Sequence, residues 1–267
     1  MSRSEHTHLI CPLTATTAEA MRADMQRAVA AGATAVEYRL DFLSLPPGEA
    51  DLMRLLSDVP VATIVTCRPV RQGGRYDGDE ATRLATLARA AELGATFIDV
   101  EEDVPAADRP EGNTILSYHN FDSLPTDLAG RAAAIDDDSP AITKLACRTS
   151  HPAEALAMLD LIDSTSTPAL ALAIGEAGVR TRLLAGRCGA AGTFAALSAD
   201  TGSAPGQPTL ADMLGLYRFD RISSEAEVYG VVGSPVGHSM SPAIHNTAFD
   251  ALEYDAIYLP LLVEPGA

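Results

Sequence analysis

The chain has 267 residues, 47% of them hydrophobic, enough to build one large α/β domain or two smaller units. Its formal net charge is −17, so its summed field repels phosphate and neither nucleic acid nor an anionic membrane is an expected partner. An anionic substrate would have to be captured by local arginines.

Short apolar runs alternate along the chain with longer amphipathic, alanine-rich segments, the pattern of repeated βα units. Eight runs are predicted as strands, at 8–12, 35–41, 61–67, 96–101, 114–119, 141–146, 168–174 and 191–196. Helix-like segments lie between them, for example at 16–31, 79–93 and 151–162. Eight units over about 215 residues predict a (β/α)8 barrel, in which a site forms at the carboxyl ends of the strands and in the loops that follow. A last helix-like segment runs to 217, and 218–227 reads as a polar linker. A different unit then begins: 228–233 is a strand entering a glycine turn, followed by 234–246 and an apolar strand at 256–262. The chain stops too soon for this unit to close a core, so the tail is expected to be a marginal, exposed segment.

Lys144 is the first candidate, because it sits at the inward phase of the run 141–146, where a lone charge is costly unless it is used. Burial favours the free amine, and a free amine is a nucleophile. His119 comes from the preceding run, and the pair suggests Schiff-base chemistry with a histidine moving the proton. Taken singly, either residue is more often a strand-end side chain reaching solvent. Glu37, Arg39, Arg68, Asp99, Glu101 and Arg182 strengthen the functional reading, five of them falling late in or just after runs that precede Lys144. Alternation puts Glu37 with Arg39, and Asp99 with Glu101, on one strand face, leaving Val36, Tyr38, Ile98 and Val100 for the helices. The arginines predict a substrate bearing a carboxylate and hydroxyls. The glycine-rich stretch 68–76 is a candidate substrate loop, and 203–207 a turn able to fold over the site and offer Ser203 and Gln207.

The cysteines Cys11, Cys67, Cys147 and Cys188 are scattered without metal-ligand spacing, so neither a metal site nor a disulfide framework is predicted, and a reducing cytoplasm fits best. Residues 1–8 lack a signal-peptide apolar core and no apolar run approaches membrane-spanning length, so an unexported protein is expected.

Six motifs taken together resemble type I 3-dehydroquinate dehydratase of the shikimate pathway: Glu37-Tyr38-Arg39-Leu40-Asp41, Cys67-Arg68-Pro69 with Gly73-Gly74, Ser117-Tyr118-His119-Asn120, Lys144, Gly178-Val179-Arg180-Thr181-Arg182 and Ser203-Ala204-Pro205-Gly206-Gln207. The tail from Tyr229 to Pro242 resembles the opening of shikimate dehydrogenase, and the join is similar to the bifunctional dehydratase–dehydrogenase proteins, truncated in the dehydrogenase part. The resemblance implies a TIM barrel over 1–220 and a fragment of an α/β shikimate-binding domain over 221–267. It also implies that Lys144 forms an imine with 3-dehydroquinate while His119 removes the C2 proton and assists loss of the C1 hydroxyl, with no metal or organic cofactor. Glu37, Arg39, Arg68, Arg182, Ser203 and Gln207 correspond to substrate-binding positions, and Arg182 is the expected partner of the substrate carboxylate. Ser239 and Ser241 match shikimate-binding hydroxyls, but the dehydrogenase's catalytic residues and nucleotide domain would lie beyond Ala267, so no dehydrogenase activity is expected.

One position departs from the family, which usually has a glutamate before the paired glycines where this chain has Gln72. Glutamine can hold the histidine ring but cannot stabilise imidazolium by charge, so Asp99 and Glu101 are candidates to compensate. Two other readings stay open: a class I aldolase-like barrel, which shares the imine, and a weakened barrel that serves as a binding or tethering module. A homodimer is compatible with the sequence but not read from it.

Overall fold

The computed structural model describes residues 7–202 and 206–264. Eight parallel strands alternate with helices: β1 (His8–Leu13), α1 (Ala18–Ala30), β2 (Ala35–Arg39), α2 (Glu49–Leu56), β3 (Ala62–Thr66), α3 (Glu80–Glu92), β4 (Phe97–Glu101), β5 (Thr114–Asn120), α4 (Leu128–Asp137), β6 (Ile142–Arg148), α5 (Pro152–Ser164), β7 (Ala169–Ile174), α6 (Val179–Leu183) and β8 (Gly192–Phe194). The sheet order runs from β7 back through β1 to β8, and Ala191 N–H donates to the Ala169 carbonyl at 2.8 Å, drawing the two ends together. The fold is the (β/α)8 barrel that the alternation predicts. One unit lacks its helix: β4 and β5 are joined through a short turn at Ala106–Asp108, where Pro105 and Pro110 leave no room for an uninterrupted helix.

Strand alternation divides the core in two. Ile10, Ala35, Ile64, Ile115, Ile142, Leu170 and Leu172 pack with Phe194 inside the barrel, while Val36, Tyr38, Ile98 and Val100 pack outside with Met21, Leu55 and Leu87 of the helices. Inside β2 and β4 the apolar residue comes first, Ala35 and Phe97, and the charged pair follows. Helix starts are fixed locally: Thr17 accepts from Ala20 N–H at 3.2 Å, Asp79 from Thr82 N–H at 2.8 Å, and Pro152 opens α5 after the His151 cap.

The tail corrects the sequence reading. A π-helical turn at Asp212–Leu216 precedes β9 (Glu227–Gly233), α7 (Ser241–Ala251) and β10 (Ala256–Leu262), and β9 pairs with β10 in parallel. The unit does not close a core alone. It shares the barrel's: Ile257 and Leu259 are 0% and 1% exposed and belong to the same cluster as the outer barrel residues. Nor is 218–227 a free polar linker, since Arg218 and Phe219 are buried, Arg218 pairs with Asp250 at 3.1 Å, and Arg187 donates to the Ala226 carbonyl at 2.8 Å. The other tail face stays open, with Val232, Ile244 and Leu252 exposed.

Candidate active site

Lys144 is the single lysine of the chain; every other basic side chain of this class is arginine. It stands in the middle of β6, 3% exposed, and its Nζ donates to Asp99 Oδ2 at 2.7 Å, lies 3.7 Å from Glu37 Oε1 and sits 4.9 Å above the Phe194 ring. The burial is therefore compensated by a carboxylate rather than left bare. Asp99 comes from β4 and also meets Arg68 at 2.7 Å and the Ser117 hydroxyl at 2.6 Å. Burial opposes its charge, but Arg68 and Lys144 outweigh that and hold the carboxyl well below its ordinary range.

His119 is the penultimate residue of β5 and is partly covered. Its backbone N–H donates to Gln72 Oε1 at 3.0 Å, and its Nδ1 lies 3.3 Å from the same oxygen. A backbone N–H can only donate, so the Gln72 atom is the carbonyl oxygen, and the Nδ1 facing it must carry the hydrogen. Nε2 is then the free base. Burial, aided by the Arg68 and Lys144 charges, keeps the imidazole well below the ordinary histidine value despite Asp99 nearby. Neither Asp99 nor Glu101 is hydrogen-bonded to His119 among the described residues: Glu101 is held by Arg68 at 2.6 Å and Arg83 at 2.7 Å. The compensation anticipated for Gln72 thus does not take the form of a direct bond.

The glycine pair explains how Gln72 reaches the ring. Gly73 has φ +76° and a Cβ there would lie 2.1 Å from Phe121, while a Cβ on Gly74 would lie 2.0 Å from the Arg68 carbonyl. Only glycines let the chain fold back onto the end of β3 at this point.

A cavity opens over these groups, lined by Glu37, Arg39, Arg68, Gln72, His119 and Lys144, with Arg182, Phe121 and Phe194 completing its polar and aromatic wall. The three arginines differ. Arg39 is bidentate to Asp41 at 2.8 and 2.7 Å, and Arg68 is shared between Asp99 and Glu101. Arg182, on α6 and 3% exposed, has no ion-pair or hydrogen-bond partner among the described residues, and burial brings its pKa down to about 10. Ser203 lies outside the described residues. Gln207 is partly buried but is not part of the cavity wall. Ser241 opens α7 and Ser239 lies two residues before it, and neither lines the cavity. Sequence reasoning passed over Arg83, Thr66, which donates to Glu37 at 2.9 Å, and Phe121 and Phe194. For Arg83 the spacing from Glu80 on one helix was a signal, though an exposed pair is the commoner meaning. No group of three or more metal-binding side chains and no membrane-spanning helix occurs among the described residues.

The comparisons with known proteins accord with this geometry. The profile of type I 3-dehydroquinase matches residues 9–224. The chain belongs to that family. Residues 231–267 match the substrate-binding domain of shikimate dehydrogenase. A bifunctional 3-dehydroquinate dehydratase/shikimate dehydrogenase of Arabidopsis thaliana is 37% identical over 96% of this chain, which spans 44% of that protein's length. A 3-dehydroquinate dehydratase of Methanothermobacter thermautotrophicus is 32% identical, covering 76% of this chain and 92% of its own. Among solved structures, the Clostridium difficile type I enzyme with covalently modified comenic acid superposes with a TM-score of 0.72 at 19% identity, covering 81% of this chain and 92% of that one. The S. pombe dehydroquinate dehydratase and shikimate dehydrogenase gives 0.65 at 21% identity, covering 99% and 53%. Those two likenesses bear on the fold.

Proposed function

We propose that the chain dehydrates 3-dehydroquinate to 3-dehydroshikimate through an imine on Lys144. The observation that supports this most is one cavity faced by the sole lysine, a histidine whose Nδ1 is held by Gln72, and a buried guanidinium with no partner among the described residues. The amine adds to the substrate ketone and water leaves, giving a protonated imine that serves as an electron sink. His119 removes the C2 proton, and the resulting enamine expels the C1 hydroxyl, which takes the proton back from His119 and departs as water. Hydrolysis then releases product and restores the amine, so the net change is loss of one water. Asp99 and Glu37 hold the amine, Gln72 holds the ring, and Arg182 receives the substrate carboxylate. Arg39 and Arg68, already paired internally, shape the wall around the hydroxyls. In this reading the barrel covers 1–220 and the shikimate-domain fragment 221–267. Incubation with dehydroquinate, following the conjugated enoate by ultraviolet absorbance, tests it. Growth of that absorbance is expected, and its absence at micromolar enzyme would leave a binding role instead.

A further inference from the structure

Arg83 has no place in the chemistry above. It sits on α3, outside the barrel, yet it is 0% exposed. Its NH1 meets Glu101 Oε2 at 2.7 Å and donates to the Cys67 carbonyl at 3.1 Å, while Nε and NH2 hold Glu80 at 2.9 and 2.7 Å. Glu101 in turn holds Arg68 at 2.6 Å, Arg68 holds Asp99 at 2.7 Å, and Asp99 holds Lys144 at 2.7 Å. Glu80 also meets Arg71, the neighbour of Gln72, but side chains there are 41% and 44% exposed and such pairs are weak. The line from Arg83 to Lys144 is different, since none of its side chains is more than 4% exposed.

We propose that Arg83 is a positioning residue for Lys144, acting through Glu101, Arg68 and Asp99; the proposal rests on the dehydratase reading. Covering a barrel needs only apolar side chains, and replacing a buried ion pair by apolar groups is often neutral or stabilising. A guanidinium in this position therefore has another use. Without it, Glu101 keeps one cation instead of two, and burial, which already raises its pKa, favours uptake of a proton. A neutral Glu101 releases Arg68, whose charge then falls entirely on Asp99. Asp99 is drawn from Lys144, and the amine loses its anchor.

The test uses the full chain with Arg83→Met, Arg83→Met/Glu101→Gln and Arg83→Lys, following enoate formation against pH. Arg83→Met should lower kcat by about 100-fold, the scale of a misplaced reacting group, while KM changes little. Its pH–rate profile should gain an ionisation, that of Glu101, which the wild type and the double variant lack. A wild-type profile in Arg83→Met, with kcat reduced only in proportion to the folded fraction, overturns the proposal. Should Arg83→Met not fold, Arg83→Lys decides: it keeps the charge but not the fork, so a loss of about tenfold or more in kcat is expected, and wild-type kcat overturns the proposal. Lys144→Met is run alongside. If it is inactive while the Arg83 variants behave as wild type, only the positioning role fails; if it turns over, the imine reading fails as well.

Discussion

Gln72 orients His119 without adding a charge, and that sets the acid side of the reaction. The imidazole is already held well below its ordinary value, so the acid limb of the pH–rate profile should lie low. Gln72→Glu places a carboxylate beside Nδ1 and should move that limb upward by about one pH unit. An unchanged limb would show that proton transfer by His119 does not govern it. Arg182 offers a second residue-scale prediction. Burial lowers its pKa from the ordinary guanidinium value to about 10, a penalty on the order of 3 kcal/mol that is fully present below pH 10. Arg182→Met should therefore raise the melting temperature of the free protein while raising KM, since the substrate carboxylate loses its cation. A higher KM with a lower melting temperature would mean that Arg182 is stabilised by a group of the protein. Lys144 and His119 were legible because titratable side chains on successive apolar strands are seldom there for packing alone. Arg83 was not, because burial of a helix residue depends on what the neighbouring strand presents.

At the scale of elements, all eight strands were legible as short apolar runs between amphipathic segments, and the inward sets on β2 and β4 followed from period-two alternation. The helix missing between β4 and β5 was not anticipated, although Pro105 and Pro110 signal it. The tail was misread because its apolar residues match the outer barrel surface, a pairing that no local pattern encodes. Ile257→Ala should destabilise the protein by about 2–4 kcal/mol, as in any packed core, and a chain ending at 224 should melt lower than the full one. Calorimetry of both checks this. A barrel transition unchanged in both would show that the tail only rests against the barrel.

Across the whole molecule, His119 and Asp99 make stability fall on acidification, while Glu101, whose pKa burial raises, works against them. His119 is depressed in the fold, so below the ordinary histidine range the unfolded chain takes a proton that the native one refuses, and stability falls as pH falls. Asp99, also depressed, contributes stability that is present above the ordinary carboxylate range and lost on further acidification. Denaturant titrations between pH 7 and 5 should show unfolding free energy falling by up to about 1.4 kcal/mol per pH unit for one such proton, with the part due to His119 abolished in His119→Phe. The most direct test of the imine itself uses the chain's single lysine. Borohydride added during turnover of dehydroquinate should fix one substrate- or product-derived mass per chain, and peptide mass spectrometry should place it on Lys144. Continued turnover with no adduct, or an adduct confined to the N-terminal amine, would contradict the account.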